Sequence, residues 1–365
     1  MRGQEVGVFR VMMNGPGDVS GVERLVEKGD LDPNDIVAIL GKTEGNGGVN
    51  DFTREYATFA LSNALALHLG LSREAVEERI AFVMSGGTEG VISPHITIFS
   101  RKSVDAASGP EKRLSIGVAA TRPLLPEEIG RAAQIGETAK AVRAAMMDAA
   151  ISSNQDVHFV QIKCPLLTVE RAEAALQRNM RPITKSSYAS MGYSRGASAL
   201  GVAVALDESE RPIDEDRVLS DWSVFSSVAS ASSGIELTRN VVIVLGNSSL
   251  SASRFKIGHA VMRDPIDLEA VTMAFADLGI APGRANPAGR DVYVFAKAEA
   301  SHEGLVRGLR HTMLDDTDIS STRHARAAVG GLIAGVAGHS AVYVSGGAEH
   351  QGPSGGGPIA VIAPC

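Results

Sequence analysis

The feature that most constrains the fold is a turn that recurs three times, in which an apolar, β-branched run stops abruptly at serine and glycine. It stands at Tyr343-Val344-Ser345-Gly346-Gly347, at Phe82-Val83-Met84-Ser85-Gly86-Gly87 and, more loosely, in the run from Val224 to Ser233-Gly234. A buried strand that ends this way delivers a hydroxyl and free backbone N–H groups to one spot, because glycine lets backbone approach a ligand closely. The same order of elements precedes each turn. Asp35, Asp156 and Asp291 open apolar strands that run into Lys42, Lys163 and Lys297, and each strand leads to a helix with an arginine near its start, Arg54, Arg195 or Arg326. The spacing predicts three units, residues 1–103, 112–249 and 255–365, with a polar linker from Arg101 to Arg113. The expected fold class is α/β: three pseudo-threefold-related α/β repeat units in one chain around a central active site. The lysine-to-serine interval is longest in the second unit, which implies an insertion around Arg171 to Tyr188.

Composition removes several function classes. At 365 residues and 44% hydrophobic, the chain can bury a large core. No apolar run approaches the ~20 residues that a membrane span needs, and Met1-Arg2-Gly3-Gln4-Glu5 does not resemble the start of a signal peptide, so a cytoplasmic protein with no membrane partner is expected. The net charge of −7 is spread without a basic block, which argues against nucleic acid. Nine histidines show neither the His-x-His nor the His-Glu-x-x-His spacing, so catalytic zinc is not expected. Gly45-Asn46-Gly47-Gly48 follows Lys42 in the wrong order for a phosphate loop, and no organic cofactor is expected.

Serine and lysine form a chemical unit. A hydroxyl attacks only when a base takes its proton, and lysine is that base only when neutral, which burial or neighbouring positive charge favours. Three lysines and three arginines around one pocket supply such charge, and glycine N–H groups beside each serine can hold an oxyanion. Acyl transfer on an amide, imide or ester suits this apparatus. A non-catalytic protein that binds a small cyclic imide would use the same arginines and N–H groups.

With Phe82 to Gly90, Gln161-Ile162-Lys163-Cys164-Pro165 and Val344-Ser345-Gly346-Gly347-Ala348-Glu349-His350-Gln351-Gly352-Pro353, the chain closely resembles, over its whole length, the cyanuric acid hydrolase and barbiturase family of ring-opening amidohydrolases. The resemblance implies hydrolytic opening of cyanuric acid to carboxybiuret, then biuret and CO₂, or of barbituric acid to ureidomalonate. It implies Lys163 as base and Ser233 as nucleophile. Arg54, Arg195 and Arg326 would bind substrate with Ser85-Gly86, Ser233-Gly234 and Ser345-Gly346, alongside Lys42 and Lys297. Arg323 competes with Arg326 for the third arginine position and is otherwise a specificity residue. A structural Mg²⁺ or Ca²⁺ would fall on Glu299, Ala348, Gln351, Gly352, Pro353 and Gly356, a hard-oxygen set. A homotetramer is implied as well. The flat, threefold ring of cyanuric acid matches three Lys/Arg/Ser sets, whereas barbituric acid breaks that symmetry.

One irregularity bears on which lysine works. Two positions after Lys42 and Lys297 stand Glu44 and Glu299, but after Lys163 stands Pro165. Residues two apart share a strand face. Lys163 is therefore expected to lack a carboxylate and to be the lysine most easily kept neutral.

Overall fold

The computed structural model describes residues 2–105, 111–209, 213–281 and 291–365. The middle of the expected linker, 106–110, lies outside them; its first part is strand, because the last strand of the first unit continues to Asp105. The first unit comprises β1 (Arg2–Met12), α1 (Ser20–Glu27), β2 (Ile36–Thr43), α2 (Phe52–Leu69), α3 (Arg73–Arg79), β3 (Ala81–Gly86) and β4 (His95–Asp105). The second has β5 (Arg113–Ala120), α4 (Ala132–Asp148), β6 (Val157–Pro165), α5 (Val169–Gln177), α6 (Ser187–Ala205), β7 (Ala229–Gly234) and β8 (Val241–Ser248). The third has β9 (Phe255–Met262), α7 (Leu268–Ala276), β10 (Tyr293–Ala298), the short hairpin β11 (Leu305–Val306) and β12 (Leu309–Arg310), α8 (Ser321–Ala337), β13 (Tyr343–Gly346) and β14 (Gly357–Pro364).

Each unit builds a four-stranded sheet of one topology: β1-β4-β2-β3, β5-β8-β6-β7 and β9-β14-β10-β13. The first strand pairs antiparallel with the last, the last antiparallel with the lysine strand, and the lysine strand parallel with the serine strand. The parallel pair needs a crossover, which the arginine helices α2, α6 and α8 provide. These helices begin and stop where their sequence directs. Asp51 caps α2 by accepting from the Thr53 N–H, Ser186 caps α6 through the Ala189 N–H, and Gly70 and Gly338 end α2 and α8 at positive φ. One expectation shifts: Arg195 lies well inside α6 rather than near its start. The second unit also adds a 3-10 turn at Pro126–Glu128 before α4.

The sheets are buried on both faces, which is why their strands read as continuous apolar runs. Inner faces of all three sheets meet in a central core that contains Val8 and Phe99, Phe159 and Ile243, and Phe295 and Ile362. The Phe295 ring lies 6.0, 5.7 and 5.8 Å from those of Phe99, Phe159 and Tyr343, so one side chain ties the three units together. Outer faces pack against each unit's own helices. In the second unit that packing is close and partly polar: Gln134 Nε2 donates to Ser194 Oγ at 2.9 Å and Ser198 Oγ at 3.1 Å between α4 and α6. Here the Gly/Ala/Ser-rich composition has its structural use.

Candidate active site

Strand alternation decides what reaches the centre. Tyr293 and Phe295 belong to the central core while Val294, Ala296 and Ala298 face the helices, so Lys297 points inward. Phe159 fixes the same phase for Lys163, and Ala38 and Leu40 fix it for Lys42. All three lysines are essentially inaccessible to solvent. Lys42 Nζ donates to Ser85 Oγ at 3.1 Å, and Lys297 Nζ to Ser345 Oγ at 3.2 Å and Gly346 O at 2.9 Å. Lysines also reach the neighbouring unit: Lys163 Nζ donates to Met84 O at 3.1 Å and Lys297 Nζ to Ala231 O at 2.8 Å.

Register corrects the sequence alignment of the second turn by one residue. Lys42 lies opposite Ser85 and Lys297 opposite Ser345, but Lys163 lies opposite Ser232, with Ser233 opposite Cys164. Met84, Ala231 and Val344 thus precede equivalent serines, and Ser233 is the counterpart of Gly86 and Gly346. Ser232 Oγ is 3.0 Å from Ser345 Oγ beneath the pocket. Ser233 Oγ accepts from Arg195 Nη1 at 3.3 Å.

The pocket at this junction is lined by Ser85, Ser232, Ser233 and Ser345, with Gly86 and Gly346, and by Arg54, Arg195 and Arg326. The structure therefore brings together the three arginines singled out in the sequence, Arg326 among them. Arg323 does not line the pocket; its Nε donates to Glu89 Oε1 at 3.1 Å from a side chain that is 40% exposed.

Three glutamates escaped the sequence reading. Each lies four residues beyond its serine, at Glu89, Glu236 and Glu349. With the corrected register they were legible as Ser-x-Gly-x-Glu, thrice. Arg326 of the third unit grips Glu89 of the first, Nε to Oε2 at 2.8 Å and Nη2 to Oε1 at 2.6 Å. Arg195 of the second unit grips Glu349 of the third at 2.7 and 2.5 Å. The turn glycines make room for these arginines. Gly87 and Gly347 have φ of 107° and 78°, and a Cβ on either would lie 2.5 Å from Arg326 or Arg195. Arg54 departs from the pattern. Its guanidinium donates to Gly48 O at 2.8 Å and Ser233 O at 3.4 Å, and its buried Nε has no hydrogen-bond partner among the described residues. Glu236 instead pairs with Lys163, Oε1 to Nζ at 3.1 Å.

That ion pair overturns the expectation that Lys163 lacks a carboxylate. The partner comes from the loop after the serine turn, a site that strand periodicity does not reach. Glu44 is exposed, and the carboxylates that act most on Lys42 are Glu89 and Asp51. All three lysines are nonetheless pushed toward the neutral amine. Burial is the main cause in each, reinforced by Arg326 at Lys42, which falls well below the usual lysine range, and by Arg195 at Lys297, lowered to about 7. Burial and Arg54 lower Lys163 too, against the pull of Glu236.

The residues expected at a cation lie together. Ala348, Gln351, Gly352, Pro353 and Gly356 form the loop between β13 and β14, and Glu299 follows β10, accepting from the Ala348 N–H at 3.0 Å. Burial, with Glu349 next to it, pushes Glu299 up to about 7. One buried carboxylate raised in this way, Glu299, beside a loop that turns at Gly352 and Gly355, both at positive φ, fits a hard, oxygen-seeking cation. The Gln351 amide oxygen is already engaged by the Ala231 N–H at 2.7 Å.

The chain thus folds three like α/β units so that serines, lysines and arginines from all three meet at one small pocket. Residues 7–364 match the family described as amidohydrolase ring-opening protein, and the chain belongs to that family. It is 66% identical over 366 residues to a cyanuric acid amidohydrolase of Bradyrhizobium diazoefficiens, covering 100% of this chain and 99% of the relative. Its identity to the cyanuric acid amidohydrolase of Pseudomonas sp. strain ADP is 58%, over 98% and 99% of the two chains. A solved cyanuric acid hydrolase described as an evolutionary innovation by structural concatenation superposes with a TM-score of 0.95 at 56% identity, over 100% of both chains. The cyanuric acid hydrolase of A. caulinodans gives 0.91 at 47% identity, over 99% of both chains.

Proposed function

We propose that this protein hydrolyses a ring amide of cyanuric acid by Ser-Lys chemistry, giving carboxybiuret and, after loss of CO₂, biuret. The observation that carries the reading is the convergence of three pseudo-equivalent Lys/Ser/Arg sets on one pocket, matching a ring with three equivalent carbonyls. Arg54, Arg195 and Arg326 hold the carbonyl oxygens, with the serine hydroxyls and turn N–H groups beneath them. Neutral Lys163 takes the proton of a hydroxyl from the Ser232–Ser233 pair as that oxygen attacks the ring carbonyl, then passes it to the departing ring nitrogen. Water next attacks the acyl-serine, and the lysine returns the water proton to the serine oxygen. Register favours Ser232 as the attacking hydroxyl, because it occupies the position of Ser85 and Ser345. Ser233, the candidate from sequence, is favoured by its hydrogen bond from Arg195, which holds that hydroxyl at the pocket. An acyl-enzyme trapped with a slow substrate and located by peptide mass separates the two.

Glu299 and the loop oxygens around Gln351 would hold a structural Mg²⁺ or Ca²⁺, offsetting the buried carboxylate and bracing the third turn. The proposed form is a cytoplasmic homotetramer. Support for self-association comes from the exposed apolar stripe Phe52, Tyr56, Phe59 and Leu67 along α2; sedimentation of the purified protein tests it. Activity is tested by following loss of each ring with cyanuric and barbituric acids. Opening of cyanuric acid in preference to barbituric acid, without added zinc, is expected. Tight binding of either imide without turnover would overturn the reading in favour of a binding protein.

A further inference from the structure

In the second unit the lysine pairs directly with a carboxylate that reaches solvent. Glu89 and Glu349 have side chains only 11% and 14% exposed, each clamped by an arginine. The Glu236 side chain is 32% exposed and forms part of the wall of a cleft of about 850 Å³ between the first and second units, while its Oε1 touches the nearly inaccessible Nζ of Lys163. The catalytic pocket itself holds only about 20 Å³ of free space. Arg73, Arg79, Arg101 and Arg239 line the cleft together with Glu55, Glu77, Glu78 and Asp148, so its mouth is wide and of mixed charge. Arg54, the arginine that symmetry would assign to Glu236, bonds the backbone instead and leaves the carboxylate to the lysine.

We propose that Glu236 is a proton-relay residue that links Lys163 to this cleft, giving one of the three lysines a route to solvent separate from the substrate pocket. The inference rests on the reading of Lys163 as the base. Hydrolysis adds the hydroxyl of water to the acyl carbon and its hydrogen to the ring nitrogen. The new carboxylic acid then ionises, so each turnover releases one proton from a narrow pocket. Lys163 Nζ takes that proton, Glu236 Oε1 accepts it from the ammonium, and water in the cleft carries it away from the carboxyl, which restores the starting state. The charged and titratable groups facing this step are Lys163 and the Cys164 thiol beside it on β6, Arg54 on α2, and, along the cleft, Arg73, Arg79, Arg101 and Arg239 with Glu55, Glu77, Glu78 and Asp148. Burial opposes a charged Glu236, yet Lys163 and Arg54 hold its pKa below the usual carboxylate range, so it stands ionised before the transfer.

The test uses the full-length protein with Glu236→Gln and Glu236→Ala, each checked for native circular dichroism and imide binding. The expected result is a kcat loss of about 10- to 100-fold with KM within a few-fold, as befits a group acting through the base. Removing the carboxylate also removes a pull that keeps Lys163 charged, so the rise of kcat/KM with pH should move to lower pH. Formate or acetate should restore the rate of Glu236→Ala saturably, entering through the cleft, and chloride at equal ionic strength should not. Wild-type kcat and pH profile in both variants, or a loss that small carboxylates do not rescue, would overturn the relay. Lys163→Ala separates the two layers of argument: full activity there sinks the base assignment, whereas an inactive Lys163→Ala beside a wild-type-like Glu236→Ala sinks only the relay.

Discussion

In the first and third units the glutamate beyond the serine turn is gripped by an arginine from another unit, Glu89 by Arg326 and Glu349 by Arg195. In the middle unit the same carboxylate has been released to the lysine, and Arg54 bonds backbone carbonyls. The difference teaches how a threefold frame can run an asymmetric reaction. Two sets are rigid clamps suited to holding a ring. The third keeps a titratable pair at the point where a proton must move. Its serine strand also carries a second hydroxyl, Ser233, where the others have glycine.

The strongest way to break this comparison is to remove the lysines one at a time. Lys163→Ala should cost kcat about 10³-fold or more, the range for losing a general base. Lys42→Ala and Lys297→Ala should act mainly on KM, with kcat losses nearer the ~100-fold that misplacement can cause. Equal kcat losses in all three, measured under single turnover, would abolish the functional distinction between the units.

A second test compares the glutamates through stability. Glu89→Gln strands the buried Arg326 guanidinium without its partner, and breaking such a pair costs about 3–5 kcal/mol. Glu236→Gln should cost clearly less, because Lys163 can lose its proton whereas an arginine cannot. Denaturant unfolding of both variants checks the order, and an equal cost would mean that Glu236 is as much a structural clamp as its counterparts.

These contrasts mark where sequence reading worked. The three units, the lysines and the arginines were legible because each follows from strand or helix periodicity around a repeated order of elements. The phase of the second serine was not, since Ser232 and Ser233 both fit the turn and only pairing with β6 separates them. Nor were the glutamates, which act across unit boundaries on arginines far away in the chain. Strand parity looked for a carboxylate at Pro165, while the actual partner of Lys163 arrives from a loop.

A third, smaller effect concerns the third unit alone. Glu299→Ala should lower the melting temperature and release any bound divalent ion together, because an ion held only by the folded state contributes to its stability. Elemental analysis and calorimetry of the variant check this. Unchanged ion content with an unchanged melting temperature would remove Glu299 from the cation site and leave the loop between β13 and β14 braced by Gln351 and its own backbone hydrogen bonds.

The smallest expected effect is at Arg323, and it probes how firmly the first clamp is set. Its guanidinium shares Glu89 Oε1 with Arg326 but sits on the solvent side, 40% exposed. An exposed ion pair of this kind contributes about 0–1 kcal/mol, so Arg323→Ala should leave unfolding stability nearly unchanged. Its influence on chemistry would pass through Glu89 to Arg326, the arginine that faces the ring. A slightly loosened Arg326 costs little when all three ring edges are equivalent, because Arg54 and Arg195 would still hold the substrate. It costs more when one edge differs, as in barbituric acid, and only one orientation is productive. The variant should therefore alter the ratio of cyanuric to barbituric acid turnover by a few-fold while kcat for cyanuric acid barely moves. A ratio that stays fixed as Arg323 is removed would assign specificity to the pocket arginines alone.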